Sequence, residues 1–71
     1  MKYPIGTKYS RNIGKGVTRI CTVIDYHVTR NMAGDIVNER YVTINDIGTM
    51  DYMASSTEVS KGLLPEYQHL L

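Results

Sequence analysis

The chain has 71 residues, a net charge of +1, one cysteine, no tryptophan and no phenylalanine. A chain of this size forms one domain, residues 1–71, and buries only about 60% of the surface its unfolded form exposes, so a deep catalytic cleft is not expected and the chain reads as a non-enzyme. The lone Cys21 forbids an internal disulfide. No run approaches the roughly 18 apolar residues of a membrane span, and no apolar run follows Met1-Lys2-Tyr3-Pro4, so a soluble protein of a reducing cytoplasm is expected.

Residues 1–6 are a lead-in segment in which Pro4, lacking an amide donor, precedes a strand. Residues 7–11 suit a short strand, and residues 12–16, Asn-Ile-Gly-Lys-Gly, a loop. A β-branched run from Thr18 to Thr29 follows, then Arg30-Asn31-Met32-Ala33-Gly34-Asp35, then a second β-branched run from Ile36 to Ile44. This pattern predicts one long hairpin turning at Ala33-Gly34. Centring it on Ala33 pairs Thr29 with Val37, His27 with Glu39, Tyr26 with Arg40, Asp25 with Tyr41, Ile24 with Val42 and Thr22 with Ile44. Each charged residue then gains an aromatic or oppositely charged neighbour. In this register the even-numbered face, with Ile20, Ile24, Val28, Val42 and Ile44, is expected to form the core. The odd face, half apolar, is expected to be covered in part by another strand or a partner.

Beyond Ile47-Gly48 a further short strand is expected over residues 49–53. Ser55 and Glu58 have capping-box spacing, which predicts a helix over residues 57–63 that stops near Gly62 and cannot pass Pro65. Leu63, Leu64, Leu70 and Leu71 form an apolar tail that closes the core or meets a second subunit. Four or five strands and a helical turn in a chain of this length point to a mainly β fold: a small SH3-like or OB-like barrel built on the long hairpin, with a short C-terminal helical turn.

The chemistry-bearing residues are few. Cys21, His27 and His69 lack paired spacing, so no metal site and no cofactor are expected. Cys21 and His27 are six strand residues, about 20 Å, apart and cannot form a dyad. Charge is uneven: residues 1–24 carry Lys2, Lys8, Arg11, Lys15 and Arg19 and no acid, whereas residues 25–71 carry three bases and seven acids. Gly14-Lys15-Gly16 lacks the spacing of a nucleotide-hydrolysis loop but supplies backbone donors and a charge, as a solvated turn also would. All six aromatics are tyrosines, which serve equally as amphipathic core edges and as binding surface. The candidate ligand-binding set is therefore Lys8, Arg11, Lys15, Arg19 and Arg40 for an anionic group, with Tyr26 and Tyr41 for stacking or hydrogen bonding.

Pro4-Ile5-Gly6-Thr7-Lys8-Tyr9, Cys21-Thr22-Val23-Ile24-Asp25, Thr29-Arg30-Asn31 and the segment from Val37 to Val42 resemble small accessory proteins of tailed temperate bacteriophages. The resemblance spans residues 4–64. It implies a host bacterial cytoplasm and a role against host defences, either by sequestering a signalling nucleotide or by occluding a host protein. Three partners are thus expected in order: a nucleotide or other anionic small molecule, a bacterial host protein, and single-stranded nucleic acid. Net +1 argues against duplex binding, and the leftover apolar surface is compatible with a homodimer.

Overall fold

The computed structural model describes residues 3–50 and 54–71. Three strands, β1 (Lys8–Gly14), β2 (Val17–Arg30) and β3 (Ile36–Asn45), form an antiparallel sheet in the order β1-β2-β3. A helix, α1 (Ser56–Gly62), and a 3-10 helix (Pro65–Leu70) follow. The fold is mainly β, and the sheet is open. The predicted hairpin is present. The molecule measures 42 × 25 × 20 Å, and its long axis matches the roughly 3.3 Å per residue rise of the 14-residue β2.

The loop expected over residues 12–16 contracts to a tight turn at Lys15-Gly16, because Gly14 still pairs with Val17. The two later loops share one construction. Asn31 Oδ1 accepts from the amides of Ala33 and Asp35, and the Gly34 amide donates to the Asn31 carbonyl. Asn45 repeats this with Ile47, Thr49 and Gly48. Gly34 and Gly48 have φ of 89° and 82°, the left-handed conformation that closes such loops at little steric cost.

The register departs from expectation between two irregularities, one at Val23/Asp25 and one at Thr29/Arg30. Val23 pairs with Thr43 as the Ala33-centred register requires, but Ile24 bulges out and Asp25 pairs with Val42. From the bulge to Thr29 every pair shifts, Tyr26 with Tyr41, His27 with Arg40, Val28 with Glu39 and Thr29 with Asn38, and Arg30 returns to the expected register opposite Ile36. The expected Thr22–Ile44 pair is present, whereas the expected Ile24–Val42, Asp25–Tyr41, Tyr26–Arg40, His27–Glu39 and Thr29–Val37 pairs are corrected. An extra residue in one strand also reverses its alternation, so Tyr26 joins the face of Val23.

The core face is corrected as well. Cys21, Val23, Tyr41 and Thr43 are fully buried, whereas of the five residues expected inside only Val42 is buried and Ile24 and Val28 are each 39% exposed. The core lies on the odd face and comprises Tyr3, Tyr9, Cys21, Val23, Tyr41, Ala54, Val59 and Leu63, with Tyr26, Tyr67 and Leu70 packed against it. Counting aliphatic residues points to the wrong face because tyrosine supplies more area per side chain than isoleucine. The hydroxyls are accommodated: Tyr9 Oη donates to Thr43 Oγ1 at 3.4 Å, Tyr41 Oη accepts from the Tyr3 amide at 3.3 Å, and Tyr3 Oη bonds Ser60 Oγ. Tyr41 packs between Tyr3 and Tyr26, with ring centroids at 5.7 and 5.0 Å.

α1 lies across this face. Ser55 caps it, accepting from the Glu58 amide at 3.3 Å, so the expected N-terminal signal is correct within one residue. At one end Ser56 Oγ donates to Glu39, which also accepts from Tyr26 Oη at 2.8 Å. At the other end Gly62 sits against β1, where a Cβ would run into the Ser10 carbonyl group and lie 2.9 Å from its carbon. The sheet's two outer edges are engaged locally. Leu63 bridges to Tyr9, while Met50 and Ala54 bridge to Ile44 and Tyr41. Of the strand expected over residues 49–53, Met50 supplies one of these bridges and residues 51–53 lie outside the described residues. Leu63 and Leu70 of the apolar tail reach the core, and Leu71 is exposed.

Burial pushes the Tyr9 hydroxyl up to about 12, from 10. The folded state therefore keeps the proton to a higher pH than the unfolded chain does. The associated stability is present below pH 10 and is lost as pH rises from about 10 through 12, at up to about 1.4 kcal/mol per pH unit. Urea unfolding between pH 9 and 12 checks this: Tyr9→Phe is expected to show a shallower alkaline loss than the wild type, and parallel curves would remove the assignment.

Candidate functional site

Alternation along β1 and β2 sorts the candidate residues. Tyr9 opposes Cys21 in the core, and two residues further along the same face Arg11 directly opposes Arg19. Two like charges facing each other are unfavourable unless anions lie close by. The Asn45–Thr49 loop brings one: Asp46 Oδ1 is 3.9 Å from Arg19 Nε, and its Oδ2 accepts from the Ile20 amide at 3.4 Å. Lys15 stands at the β1–β2 turn, at the same end of the sheet.

The other candidates fall elsewhere. Lys8 lies on the opposite face, where its Nζ donates to Thr22 Oγ1 at 2.8 Å. Arg40, also on that face, pairs with His27 and donates to the Glu39 carbonyl at 2.7 Å. Tyr26 is half-buried and hydrogen-bonded to Glu39, whose carboxylate raises its pKa. Tyr41 is fully buried, so it and Tyr26 form part of the core rather than an exposed platform. Only Arg11, Arg19 and Lys15 of the seven are gathered at one end.

A cleft of about 360 Å3 opens there, between the β1 edge and α1. Arg11, Asn12, Ser10, Tyr9 and Thr18 line it from the sheet, and Glu58, Lys61 and Gly62 from α1. The flat Gly62 backbone and the short Ser10 side chain, which donates to the Gly62 carbonyl at 3.2 Å, set how closely helix and strand approach. The cleft thus presents two cations, one carboxylate and short hydroxyl and amide groups. It is suited to holding a small charged molecule. Lys61 and Glu58 were not among the sequence candidates. Their three-residue spacing places them on one helix face, but only the docking of α1 turns that face towards Arg11.

Away from the cleft, His27 Nε2 and Asp25 Oδ2 are 3.3 Å apart on the exposed hairpin. Asp25 is held below the usual carboxylate range, first by the Tyr26 amide and then by His27. Among the described residues no group of three or more His, Cys, Asp or Glu side chains is arranged to hold a metal ion, and no helix is long and apolar enough to cross a membrane. No family model, curated protein or solved structure matches the chain.

Proposed function

We propose that the protein is a non-catalytic accessory binding protein that holds a small anionic ligand in the β1–α1 cleft. The observation that carries this is the convergence of Arg11 and Lys61 on one 360 Å3 opening, with Arg19 across the sheet from Arg11. That volume is at the small end of the roughly 300–1,000 Å3 typical of ligand sites, the scale of a single phosphorylated metabolite or mononucleotide. The phage resemblance supplies the setting, a bacterial cytoplasm in which sequestering a signalling nucleotide would blunt a host defence. The engaged sheet edges at Leu63, Met50 and Ala54 support reading the fold as a small SH3-like barrel relative.

A second reading rests on a separate observation. The far half of the hairpin, beyond Asp25 and Arg40, projects with Val28, Ile36, Val37 and Met32 exposed. Two-stranded ribbons are marginal in water without a further packed surface, which favours a host protein or a second copy as its cover.

One experiment separates the two. Titrating 15N-labelled protein with inorganic phosphate and with mononucleotides is expected to shift the amides of Arg11, Asn12, Thr18 and Lys61. Arg11→Gln is expected to weaken binding about tenfold, as loss of a charge-assisted contact does. No shift at millimolar ligand would remove the ligand reading, whereas a partner captured by the wild type and lost with Val37→Asp would establish the second.

A further inference from the structure

Beyond Val23 the hairpin has no third strand. Gly6 and Thr7 bond Val23, the last point at which the chain before β2 follows its edge. Among the described residues, the segment from Tyr26 to Arg30 is therefore an edge strand. The ladder fixes which of its backbone groups point outward. The Tyr41 amide and carbonyl bond Ala54, away from β2. Tyr26, opposite Tyr41, turns its own groups outward in the same way, and Val28 and Arg30 repeat this at the two-residue period of a strand. The Asn31 amide, one residue on, bonds Asp35 across the hairpin, as this parity requires. The competing edge on β3 is engaged: Ala54 holds Tyr41, and Arg40 Nη1 donates to the Glu39 carbonyl. On β2 the Tyr26 amide is held by Asp25 Oδ1 at 2.7 Å. The Tyr26 carbonyl, both groups of Val28 and the Arg30 amide still face outward. Such an edge is a template for another strand.

We infer that a second copy of the chain covers this edge, with the two β2 strands pairing antiparallel about a twofold axis at Val28. The inference rests on the second reading above and commits it to a second copy. A twofold axis normal to the sheet sets one residue opposite itself. With Val28 there, the two Val28 residues exchange amide and carbonyl bonds, and each Arg30 amide meets the Tyr26 carbonyl of the other copy. Those four bonds use the groups left open and do not need the Tyr26 amide. The side chains agree. Val28 meets Val28 on the face of Tyr26. Arg30 meets Tyr26, whose hydroxyl is bonded to the Glu39 carboxylate, so a cation lies beside an aromatic ring and an acid. His27 meets Thr29, and no like charges are opposed. The turn of the other copy begins at Asn31, opposite Asp25, two residues short of Val23, where Gly6 and Thr7 occupy the edge. Pairing about His27 would need the Tyr26 amide that Asp25 holds. Pairing about Thr29 would set Val28 against Arg30 and leave the Tyr26 carbonyl bare. The product is a four-stranded sheet where each copy alone has a two-stranded ribbon.

Sedimentation equilibrium of the full chain, from micromolar to millimolar protein, is expected to show a reversible monomer–dimer equilibrium. The Val28 and Arg30 amides are expected to exchange more slowly as the dimer forms. Val28→Lys is expected to weaken association about tenfold or more, since two added cations would face each other. Val28 is already exposed, and an unchanged circular dichroism spectrum establishes that the variant is folded. Cysteine substitution reads the register. A residue opposite itself in a hydrogen-bonded pair has Cα atoms about 5.5 Å apart, within disulfide reach. Val28→Cys is therefore expected to link into a covalent dimer under copper-phenanthroline oxidation. Thr29→Cys, and the wild type with its buried Cys21, are expected to stay unlinked. A monomer at every concentration overturns the inference. The second reading then survives only if the Val37→Asp-sensitive capture described above succeeds, and falls together with the inference if it does not. Association that Val28→Lys leaves unchanged, or a link formed by Thr29→Cys in place of Val28→Cys, overturns the pairing at this edge.

Discussion

Tyr41→Ala is expected to abolish cooperative folding, or to lower Tm by about 15 °C or more. Tyr41 is fully buried at the centre of the core, edge-on to Tyr3 and tilted against Tyr26. Truncating a buried aromatic costs about 3–5 kcal/mol, and a domain of this length has only about 4–10 kcal/mol in total. The hydroxyl matters less. Tyr41→Phe removes the acceptor for the Tyr3 amide and keeps the ring, so it is expected to cost about 1 kcal/mol and remain cooperative. Thermal unfolding followed by near-ultraviolet circular dichroism checks both variants. A fully cooperative Tyr41→Ala within 5 °C of the wild type would mean that the tyrosine core is wrongly described.

Gly62→Ala is expected to destabilise by about 2–3 kcal/mol and to free α1 from β1. The added methyl group would collide with the Ser10 carbonyl group, which is backbone and cannot rotate away. Overpacking of this kind costs about 1–3 kcal/mol, and here the strain falls on the contact that closes one wall of the cleft. Elsewhere in a helix the same change stabilises by removing glycine's excess backbone freedom, so the sign of the effect tests the docking directly. Ser60→Ala removes the bond to Tyr3 without adding volume and serves as a milder neighbour. The midpoint of urea unfolding gives the magnitude, and amide exchange in residues 56–62 reports the helix. A neutral or stabilising Gly62→Ala would place α1 farther from β1 than the Ser10 contact requires.

The candidate site was only partly legible. The basic N-terminal third is visible in the residue order, and Arg11 and Arg19 do meet as cross-strand neighbours because the Lys15-Gly16 turn fixes their register. Lys8 and Arg40 share that basic character but point to the opposite face, a matter of strand parity. Lys61 and Glu58 lie some 40 residues on, and nothing local marks them as cleft residues. Their role depends on the angle at which α1 crosses the sheet, set by Ser56 at Glu39 and Gly62 at Ser10.

The β-branched runs, the Asn-x-x-Gly loops and the Ser55 cap act through local backbone preference, so residue order alone determined the hairpin, its turn and the helix start. Which side of the sheet would be buried was decided by tertiary structure. One bulged residue, Ile24, reversed the alternation of β2, and α1 packed on the face where Tyr9, Val23 and Tyr41 offered the larger surface. Alternation gives the even face the greater aliphatic content, and only long-range packing of Tyr3, Val59 and Leu63 against the other face overrides that count.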